Sequence, residues 1–345
     1  MAPVINGRLL FNQLPNGLPE PGKTTVYDTC ETIDLETAPL NGGILVKTLV
    51  LSIDPYLRGR MRDPSIKSYA PPFLPSQPLD NYGVGLVLRS ERSSFKQGDH
   101  IYGRLPFQQY IVMPAAAAEQ YTVLNNDTGL PWTAYVGICG MPGQTAHHGW
   151  REFSKVKAGE TVFVTSAAGP VGATVIQIAK ADGLKVIASA GSDEKVAFIK
   201  SLGADVAFNY KTENTREVLA REGPIDVYWD GVGGETFEAA IGAASVGARF
   251  IECGMITAYN GGEPYYVKNL LYIVGKQLRI SGFIVTSLHQ AHLSHFYETF
   301  PKLVKEGKIK YKEDVTKGLE HAGHVIVDVL TGRNKGKSVI LVGEE

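Results

Sequence analysis

Cysteine is scarce in this sequence, and other signals are missing that would assign the chain to a secreted or membrane-spanning class. Only Cys30, Cys139 and Cys253 are present, widely separated along 345 residues, which argues against a disulfide framework and is typical of a reducing compartment. No apolar run is long enough to cross a bilayer, and the N-terminal residues lack the apolar stretch of a signal peptide. We therefore expect a cytoplasmic location and no contact with a membrane.

A strong excess of charge is also missing. The 34 Lys and Arg residues nearly balance the 35 Asp and Glu residues, and no basic cluster is interleaved with aromatic residues. This composition gives no electrostatic reason to expect a nucleic-acid partner. The chain is longer than one ordinary hydrophobic core requires, so two domains are expected.

The most informative segment lies between residues 161 and 195. A β-branched apolar run, Thr161–Ser166, is followed by the glycine turn Ala167–Gly172, a helical pattern over Ala173–Ala181 and a second apolar run, Lys185–Ala190. This order of strand, glycine turn, helix and strand is the context that a dinucleotide-binding fingerprint requires. The place of its first glycine is taken here by Ala167.

Each remaining glycine of the fingerprint has a physical task. Gly169 lets the main chain approach a pyrophosphate at the positive N-terminus of the helix, and Gly172 lets that helix pack closely on the strand. The segment therefore predicts a bound dinucleotide.

The end of the second strand indicates which dinucleotide is bound. An NAD-binding unit places an acidic residue about 20 residues after the fingerprint, to bind the ribose 2′-hydroxyl. Here Ala190, Gly191 and Ser192 occupy that place, and Lys195 follows them. A small, uncharged strand end beside a lysine favours the 2′-phosphate of NADPH/NADP+, because a carboxylate there would repel it. Ser192 is also a good helix cap.

The sequence changes character near Gly140. The first 120 or so residues are β-rich with many Pro and Gly turns, whereas the following part alternates strands and helices, which predicts a doubly wound parallel sheet. The predicted strands of this part are Thr161–Ser166, Lys185–Ala190, Val206–Asn209, Val227–Asp230, Ala248–Glu252 and Leu278–Phe283. Beyond them we predict a helix up to about Lys305, a strand over 309–312, a helix over 318–330 and a strand over 337–342.

We expect this C-terminal tail to rejoin the N-terminal part. The predicted boundaries place residues 1–125 and 311–345 in a substrate-binding and catalytic domain, and residues 126–310 in a nucleotide-binding domain inserted between them. The predicted fold class is α/β.

Six motifs, spread along the whole chain, resemble one protein group. They are Leu51-Ser-Ile-Asp-Pro-Tyr-Leu-Arg-Gly-Arg-Met61, Gly140-Met-Pro-Gly-Gln-Thr-Ala146, Gly191-Ser-Asp-Glu-Lys195, Phe208-Asn-Tyr-Lys-Thr212, Gly254-Met-Ile-Thr-Ala-Tyr-Asn260 and Asn334-Lys-Gly-Lys337. In this order they resemble the zinc-independent, NADPH-dependent double-bond reductases of the medium-chain dehydrogenase/reductase superfamily. That group includes the alkenal/one oxidoreductases and the leukotriene B4 dehydrogenase/prostaglandin reductases. The resemblance implies a GroES-like β-rich catalytic domain with an inserted Rossmann domain, and a homodimer.

Metal ligation is not expected. A zinc alcohol dehydrogenase needs a Cys/His/Cys catalytic site, and often a four-cysteine lobe. The corresponding segments here are Ser52-Ile-Asp54 and Asp80-Asn-Tyr82, which lack those ligands. Adjacent helical residues point in different directions, so we interpret His147-His148 as structural.

Reduction of a double bond conjugated to a carbonyl requires a hydride donor and a group that stabilises the enolate oxygen. Tyr259 is the catalytic candidate, because it follows a strand at the edge where such sheets bind ligands and because it matches the tyrosine of the resembling group. Tyr56 and Tyr82 are the candidates for substrate binding, although a packing role for Tyr82 is equally compatible with its position.

The fingerprint and the resemblance together give the candidate cofactor contacts. These are Gly169, Pro170, Val171, Gly172, Lys195, Tyr210, Cys253, Gly254, Met255, Ile256, Thr257, Ala258, Tyr259, Phe283, Ile284, Val285 and Asn334. Two positions depart from the group's usual pattern: Gly231 stands where asparagine is common, and His147 stands where tyrosine is common.

The function implied is NADPH-dependent reduction of the carbon–carbon double bond of α,β-unsaturated aldehydes or ketones, with hydride transfer to the β-carbon. Either Tyr259 or water protonates the α-carbon. Two alternatives stay open: a quinone oxidoreductase on the same scaffold, which the Gly140 and Gly254 motifs disfavour, and a protein that binds NADPH without turnover.

Overall fold

The change of pattern near Gly140 corresponds to a division of the folded chain. In the computed structural model, which describes residues 2–345, one compact unit is formed by the residues up to Gly137 together with Glu313–Glu345. The other is formed by Ile138–Lys312. The second unit is thus inserted in the chain of the first unit.

The strands, numbered along the chain, have two to eleven residues in the first unit and four to nine in the second. They are β1 (Val4–Ile5), β2 (Arg8–Phe11), β3 (Thr25–Asp28), β4 (Thr32–Ile33), β5 (Ile44–Ser52), β6 (Gln77–Pro78), β7 (Asp80–Ser90), β8 (His100–Pro106), β9 (Tyr110–Met113), β10 (Thr122–Val123), β11 (Thr161–Val164), β12 (Lys185–Ala190), β13 (Val206–Asn209), β14 (Ile225–Asp230), β15 (Ala244–Glu252), β16 (Arg279–Gly282), β17 (Glu313–Lys317) and β18 (Lys337–Leu341).

Most of the helices belong to the inserted unit. They are α1 (Leu57–Arg60), α2 (Ala115–Ala118), α3 (Met141–Phe153), α4 (Pro170–Ala181), α5 (Asp193–Ser201), α6 (Thr215–Glu222), α7 (Gly234–Ala243), α8 (Leu271–Gly275), α9 (His289–Lys305) and α10 (Ala322–Leu330). Single 3₁₀ turns lie at Trp132–Val136, Ile256–Ala258, Val285–Leu288 and Leu319–His321. Within residues 2–345, no helix is long and apolar enough to span a membrane.

The first unit is built on a largely antiparallel sheet with strand order β10-β8-β7-β5-β18-β17, in which β9 also pairs with β5. The C-terminal strand β18 lies beside β5, with Val339 opposite Ser52. The chain therefore returns to the centre of this sheet after the insertion. The turn Trp132–Val136 packs against β5, β7 and β18 and belongs to the first unit.

The inserted unit holds a six-stranded sheet with order β13-β12-β11-β14-β15-β16, and all its strand pairs are parallel. This is the doubly wound order that binds dinucleotides at the carboxyl ends of the strands. β-Branched and other apolar residues are buried on both faces of β11, as expected for a strand covered by helices on both sides. The predicted α/β fold with an inserted Rossmann unit is confirmed.

One predicted strand is wrong. Residues 309–312 are not a strand, because the side chain of Gln177 binds both main-chain groups of Lys310. The strand begins at Glu313, where pairing with β18 starts.

Five histidines gather where α3 packs on α9. His147 and His148 are buried, and their Nδ1 atoms lie 3.0 Å apart, so these neighbours do contact each other through their rings. The rings of His289, His292 and His295 lie against them. Burial, together with the neighbouring cationic groups, lowers the pKa of His147 to about 4 and that of His148 to about 3.

This burial predicts that the protein loses stability in mild acid. In the unfolded chain both imidazoles take up protons near pH 6.5, whereas in the folded chain His147 resists protonation down to about pH 4. Because the unfolded state then binds more protons, its free energy falls relative to that of the folded state as the pH drops below 6.5. Each histidine should lower the free energy of unfolding by about 1–2 kcal/mol between pH 6.5 and pH 5. We expect His147→Tyr to reduce the fall in Tm between pH 7.5 and pH 5 by about 2–4 °C, measured by calorimetry. The exposed His324→Gln is the control; equal falls in wild type and His147→Tyr would contradict this account.

Candidate functional site

The N-terminus of α4 is brought close to the carboxyl end of β11 by a glycine. A methyl group on Gly172 would lie 2.7 Å from the Cα of Ala167 and 2.8 Å from the carbonyl oxygen of Ser166, so only glycine permits this approach. Gly169 caps the helix in an extended conformation. The positive end of a 12-residue helix therefore faces the edge of the sheet where a pyrophosphate would bind.

The carboxyl end of β12 is shaped by Tyr210. Its hydroxyl packs over Gly191 so closely that a Cβ there would lie 2.8 Å from the Oη atom. An acidic side chain of the NAD-binding type at this position would meet that hydroxyl. Ser192 caps α5 by accepting a hydrogen bond from the main-chain N–H of Lys195. The strand end thus combines a glycine, a tyrosine hydroxyl and a lysine.

The two acidic residues that follow Ser192 have partners. Asn209 donates a hydrogen bond to Asp193, and Lys312 forms an ion pair with Glu194 at 3.1 Å. These contacts reduce the negative field near Lys195, which suits a phosphate on the ribose. The residues present fit NADPH.

Asp230, at the end of β14, organises the neighbouring loops. Its buried carboxylate accepts hydrogen bonds from the N–H groups of Val232 and Gly233. Its carbonyl oxygen accepts from the N–H groups of Cys253 and Gly254, at 3.0 and 3.1 Å. One residue therefore fixes the start of the run 253–259.

Tyr259 ends this run. Main-chain bonds join Ile256 to Gly231 and Thr257 to Val232, and the 3₁₀ turn Ile256–Ala258 carries Tyr259. Its hydroxyl lies against Gly254, where a Cβ would be 3.0 Å away. The sheet edge, the run 253–259 and Tyr259 are thus held together within one unit.

The departure at Gly231 has a local explanation. A Cβ on Gly231 would lie 3.2 Å from the Cβ of Ser166, which has a positive φ of 48°. An asparagine here would therefore require the β11–α4 turn to shift.

Two half-buried acidic groups, Glu252 at the end of β15 and Cys253 at the start of this run, resist ionisation. Burial and the nearby Asp230 raise the pKa of the Glu252 carboxyl to about 9 and that of the Cys253 thiol to about 12. A thiol with so high a pKa is a poor nucleophile. Cys253 is therefore suited to contact rather than to covalent chemistry.

The remaining candidates of the inserted unit follow β16. The ring of Phe283 packs against Trp229 and Phe153, while Ile284 and Val285 lead into the next 3₁₀ turn.

In the first unit, Tyr56 belongs to a buried polar network. Its hydroxyl donates to Oδ1 of Asn81 at 2.5 Å, and the amide of Asn81 donates to Asp54 at 2.9 Å. The ammonium group of Lys337 forms an ion pair with Asp54 at 3.0 Å and donates to the carbonyl oxygen of Ile53. We refer to Lys337, Asp54, Asn81 and Tyr56 as the polar chain.

Tyr82 and Asn334 are the other candidates of this unit. Tyr82 stacks on Tyr102 with ring centroids 5.6 Å apart, and it is close enough to Tyr56 to contribute to the raised pKa of that hydroxyl. The side chain of Asn334 donates to the carbonyl oxygen of Gly336 and shapes the turn before β18.

Sequence reasoning missed the roles of Asp54, Asn81, Lys337 and Asp230. The only signal in the sequence for Asp54 and Lys337 was their presence in the quoted motifs. Their pairing could not be predicted, because it joins positions 283 residues apart.

Two protein families match the chain. Residues 170–306 match the family described as zinc-binding dehydrogenase, and residues 8–121 match the N-terminal domain of oxidoreductase. Among residues 2–345, however, no three His, Cys, Asp or Glu side chains are grouped so that they could hold a metal ion. The segments that correspond to zinc-binding positions instead carry Asp54 and Asn81 of the polar chain, whose polar atoms are bound by protein groups.

Similar proteins extend over the whole chain. (+)-Pulegone reductase of Mentha piperita is 38% identical, over 99% of this chain and 100% of its own length. The NADP(+)-dependent 2-alkenal reductase of Nicotiana tabacum is 37% identical, over 99% of both chains. The crystal structure of CurA from Vibrio vulnificus in complex with NADPH is 29% identical, with a TM-score of 0.89 over 98% of this chain and 100% of that one.

These similarities agree with the six motifs and confirm the resemblance drawn from them. The chain belongs to the medium-chain dehydrogenase/reductase superfamily, in its group of NADP-dependent alkenal and enone reductases.

Proposed function

We propose that the chain reduces the carbon–carbon double bond of α,β-unsaturated aldehydes and ketones with NADPH. The observation that carries this proposal is the position of Tyr259 at the ligand-binding edge of the six-stranded sheet, where main-chain bonds to the Asp230 loop hold its run. The similarity to a 2-alkenal reductase and to (+)-pulegone reductase supports the same activity.

The inserted unit would hold the cofactor. The α4 N-terminus, from Gly169 to Gly172, would bind the pyrophosphate, and Lys195 with Tyr210 would bind the 2′-phosphate. The run 253–259 and residues 283–285 would contact the nicotinamide half, and the resemblance implies a further cofactor contact at Asn334. Bound NADPH supplies the hydride that is added to the β-carbon of the substrate.

Tyr259 would act on the substrate carbonyl. As the β-carbon receives hydride, negative charge develops on the carbonyl oxygen, and a hydroxyl donor at that oxygen stabilises the resulting enolate. A proton from Tyr259 or from water then completes the α-carbon. We assign no step to a metal, because Asp54 and Asn81 are committed to the polar chain and the described residues offer no other donor set.

Substrate range tests this activity. NADPH oxidation should be followed with an enal, an enone, a quinone and a saturated aldehyde, and we expect turnover of the enal and the enone. Turnover of the quinone alone would favour a quinone oxidoreductase. Binding of NADPH with no turnover at all would favour a protein that binds the cofactor without catalysis.

Removal of the Tyr259 hydroxyl should slow the chemical step. Because one oxyanion donor is worth about 10²–10³ in rate, Tyr259→Phe should lower kcat by about 100-fold while leaving the Kd for NADPH nearly unchanged. Steady-state kinetics and fluorescence titration measure the two quantities. An unaltered kcat would remove Tyr259 from this role.

Loss of the Lys195 charge should affect only the phosphorylated cofactor. We expect Lys195→Ala to raise the KM for NADPH about tenfold or more and to leave the KM for NADH within about twofold, since the lost interaction is with the 2′-phosphate. Lys200→Ala, on the same helix α5, is the matched control. Equal effects on both cofactors would place the phosphate elsewhere.

We further propose a cytoplasmic homodimer formed through the inserted unit. All three cysteines are free, which suits a reducing compartment. Leu271 and Val274 are 79% and 75% exposed on α8, which precedes the edge strand β16 in the chain. Exposed apolar side chains and an open sheet edge are features of a protein interface.

The dimer proposal can be tested by charging this surface. Because both residues are exposed, Leu271→Asp/Val274→Asp should preserve folding, yet it should convert the dimer to a monomer in light scattering coupled to gel filtration. Leu14→Asp, at an exposed apolar residue of the first unit, should leave the mass unchanged. A wild-type protein that runs as a monomer would refute the proposal.

A further inference from the structure

We propose that Glu252 is a positioning residue for Tyr259: its carboxyl group keeps its proton in the folded chain and donates it to Asp230, the anchor of the run 253–259. This inference rests on the proposed function, because it gives Glu252 a part in holding the tyrosine that would stabilise the enolate. All the groups involved belong to the inserted unit.

Glu252 and Asp230 lie side by side at the carboxyl ends of two parallel strands. Asp230, the last residue of β14, is in register with Glu252, the last residue of β15. Side chains alternate between the two faces along a strand, so residues in register on neighbouring parallel strands point to the same face. The two carboxyl groups therefore meet on one face of the sheet, and a hydrogen bond joins them.

Asp230 is bound as an acceptor. Its Oδ1 atom accepts from the N–H groups of Val232 and Gly233 at 2.7 and 3.0 Å, and the Thr165 hydroxyl donates to the same atom at 3.2 Å. Among the described residues, its Oδ2 atom receives only a longer contact from the Gly233 N–H, at 3.1 Å. Donors favour the ionised form of a carboxyl group, and Oδ2 has a lone pair left for one more donor.

In the described part of the chain, Glu252 has no cationic partner. Both its carboxyl oxygens are shielded from solvent, and neither accepts a hydrogen bond from another residue within 2–345. The titratable groups around it are Asp230, the Tyr228 hydroxyl and the Cys253 thiol, and β16 presents Gly282 beside it. An ionised Glu252 would therefore add a second negative charge beside Asp230, out of water and without compensation.

Protonation of Glu252 removes this conflict. A neutral carboxyl group carries one O–H donor, which can bind Oδ2 of Asp230, and the raised pKa of Glu252, about 9, agrees with this assignment. Asp230 then has donors on both carboxylate oxygens. Its carbonyl oxygen accepts from the N–H groups of Cys253 and Gly254, at the start of the run that ends at Tyr259. The Glu252 proton is thus one of the bonds that fix the anchor of Tyr259.

The proton can be counted through the pH dependence of stability. In the unfolded chain Glu252 is ionised above about pH 4.5, whereas the folded chain keeps the proton up to about pH 9. The folded state then binds one more proton, so wild type loses stability as the pH rises through this interval, and Glu252→Gln escapes this loss. We expect the unfolding equilibrium constant of wild type, divided by that of Glu252→Gln, to rise about tenfold per pH unit between about pH 6 and pH 8.

Urea denaturation followed by tryptophan fluorescence measures both constants. The histidines of α3 and α9 are present in both proteins, so their titration cancels in the ratio. Glu235→Gln, at an exposed position of α7, is the matched control and should give a ratio that does not change with pH. A constant ratio for Glu252→Gln would show that Glu252 is ionised in the folded chain and would overturn the proposal.

A kinetic test shows whether Glu252 acts through Tyr259. The amide of Gln can donate to Asp230, so Glu252→Gln should retain kcat within about twofold. Glu252→Leu removes the donor and should lower kcat about tenfold, the usual value of one hydrogen bond. In the Tyr259→Phe background the same Leu substitution should lower kcat less than about twofold further, because residues that act through one group are not additive.

Equal losses of kcat in Glu252→Gln and Glu252→Leu, or a tenfold loss from Leu in both backgrounds, would contradict a positioning role. An inactive wild type would overturn the proposed function, and with it the role of Glu252 toward Tyr259. A stability ratio that is constant with pH in an active enzyme would overturn this inference alone. If Glu252→Leu does not fold, the stability ratio and the kcat of Glu252→Gln are sufficient.

Discussion

The buried ion pair between Lys337 and Asp54 is the contact on which the first unit depends. It joins residues 283 positions apart, at the point where the chain returns from the inserted unit and β18 lies beside β5. Breaking a buried pair of this kind by removal of one partner typically costs about 3–5 kcal/mol, because a charge is then left without compensation. The pair also fixes the direction of the hydrogen bonds that lead to Tyr56. The stability of this unit and the orientation of the Tyr56 hydroxyl thus share one interaction.

Asp230 has a comparable place in the inserted unit. Its carboxylate and carbonyl bind four main-chain N–H groups from two loops, all beyond the carboxyl ends of β14 and β15. Buried main-chain N–H and C=O groups need hydrogen-bond partners, and a loop outside helices and sheets lacks the regular main-chain partners that those elements provide. A single buried aspartate therefore allows an irregular segment to hold Tyr259 in place.

The sequence was a good guide to the inserted sheet and a poor guide to these polar contacts. Short apolar runs alternate with helical patterns there, and β12 and β13 begin and end where the sequence predicted. Such patterns report local burial. The strand predicted over 309–312 failed because Gln177, more than 100 residues away, binds the main chain at Lys310. The contact between the rings of His147 and His148 was missed for a related reason, since it depends on the packing of α9.

The same distinction applies to the candidate site. The glycines at 172 and 191 could be recognised from the sequence because a motif surrounds them, and the structure adds the close contacts that require them. The chemistry of a tyrosine is different, because it depends on which partner takes its proton. Asn81 takes the proton of Tyr56, so that hydroxyl has no proton left to donate to another group. Gly254 permits the close approach of the Tyr259 hydroxyl, where any larger residue would crowd it. Two tyrosines that look alike in the sequence thus acquire different surroundings from residues that only the folded chain brings to them.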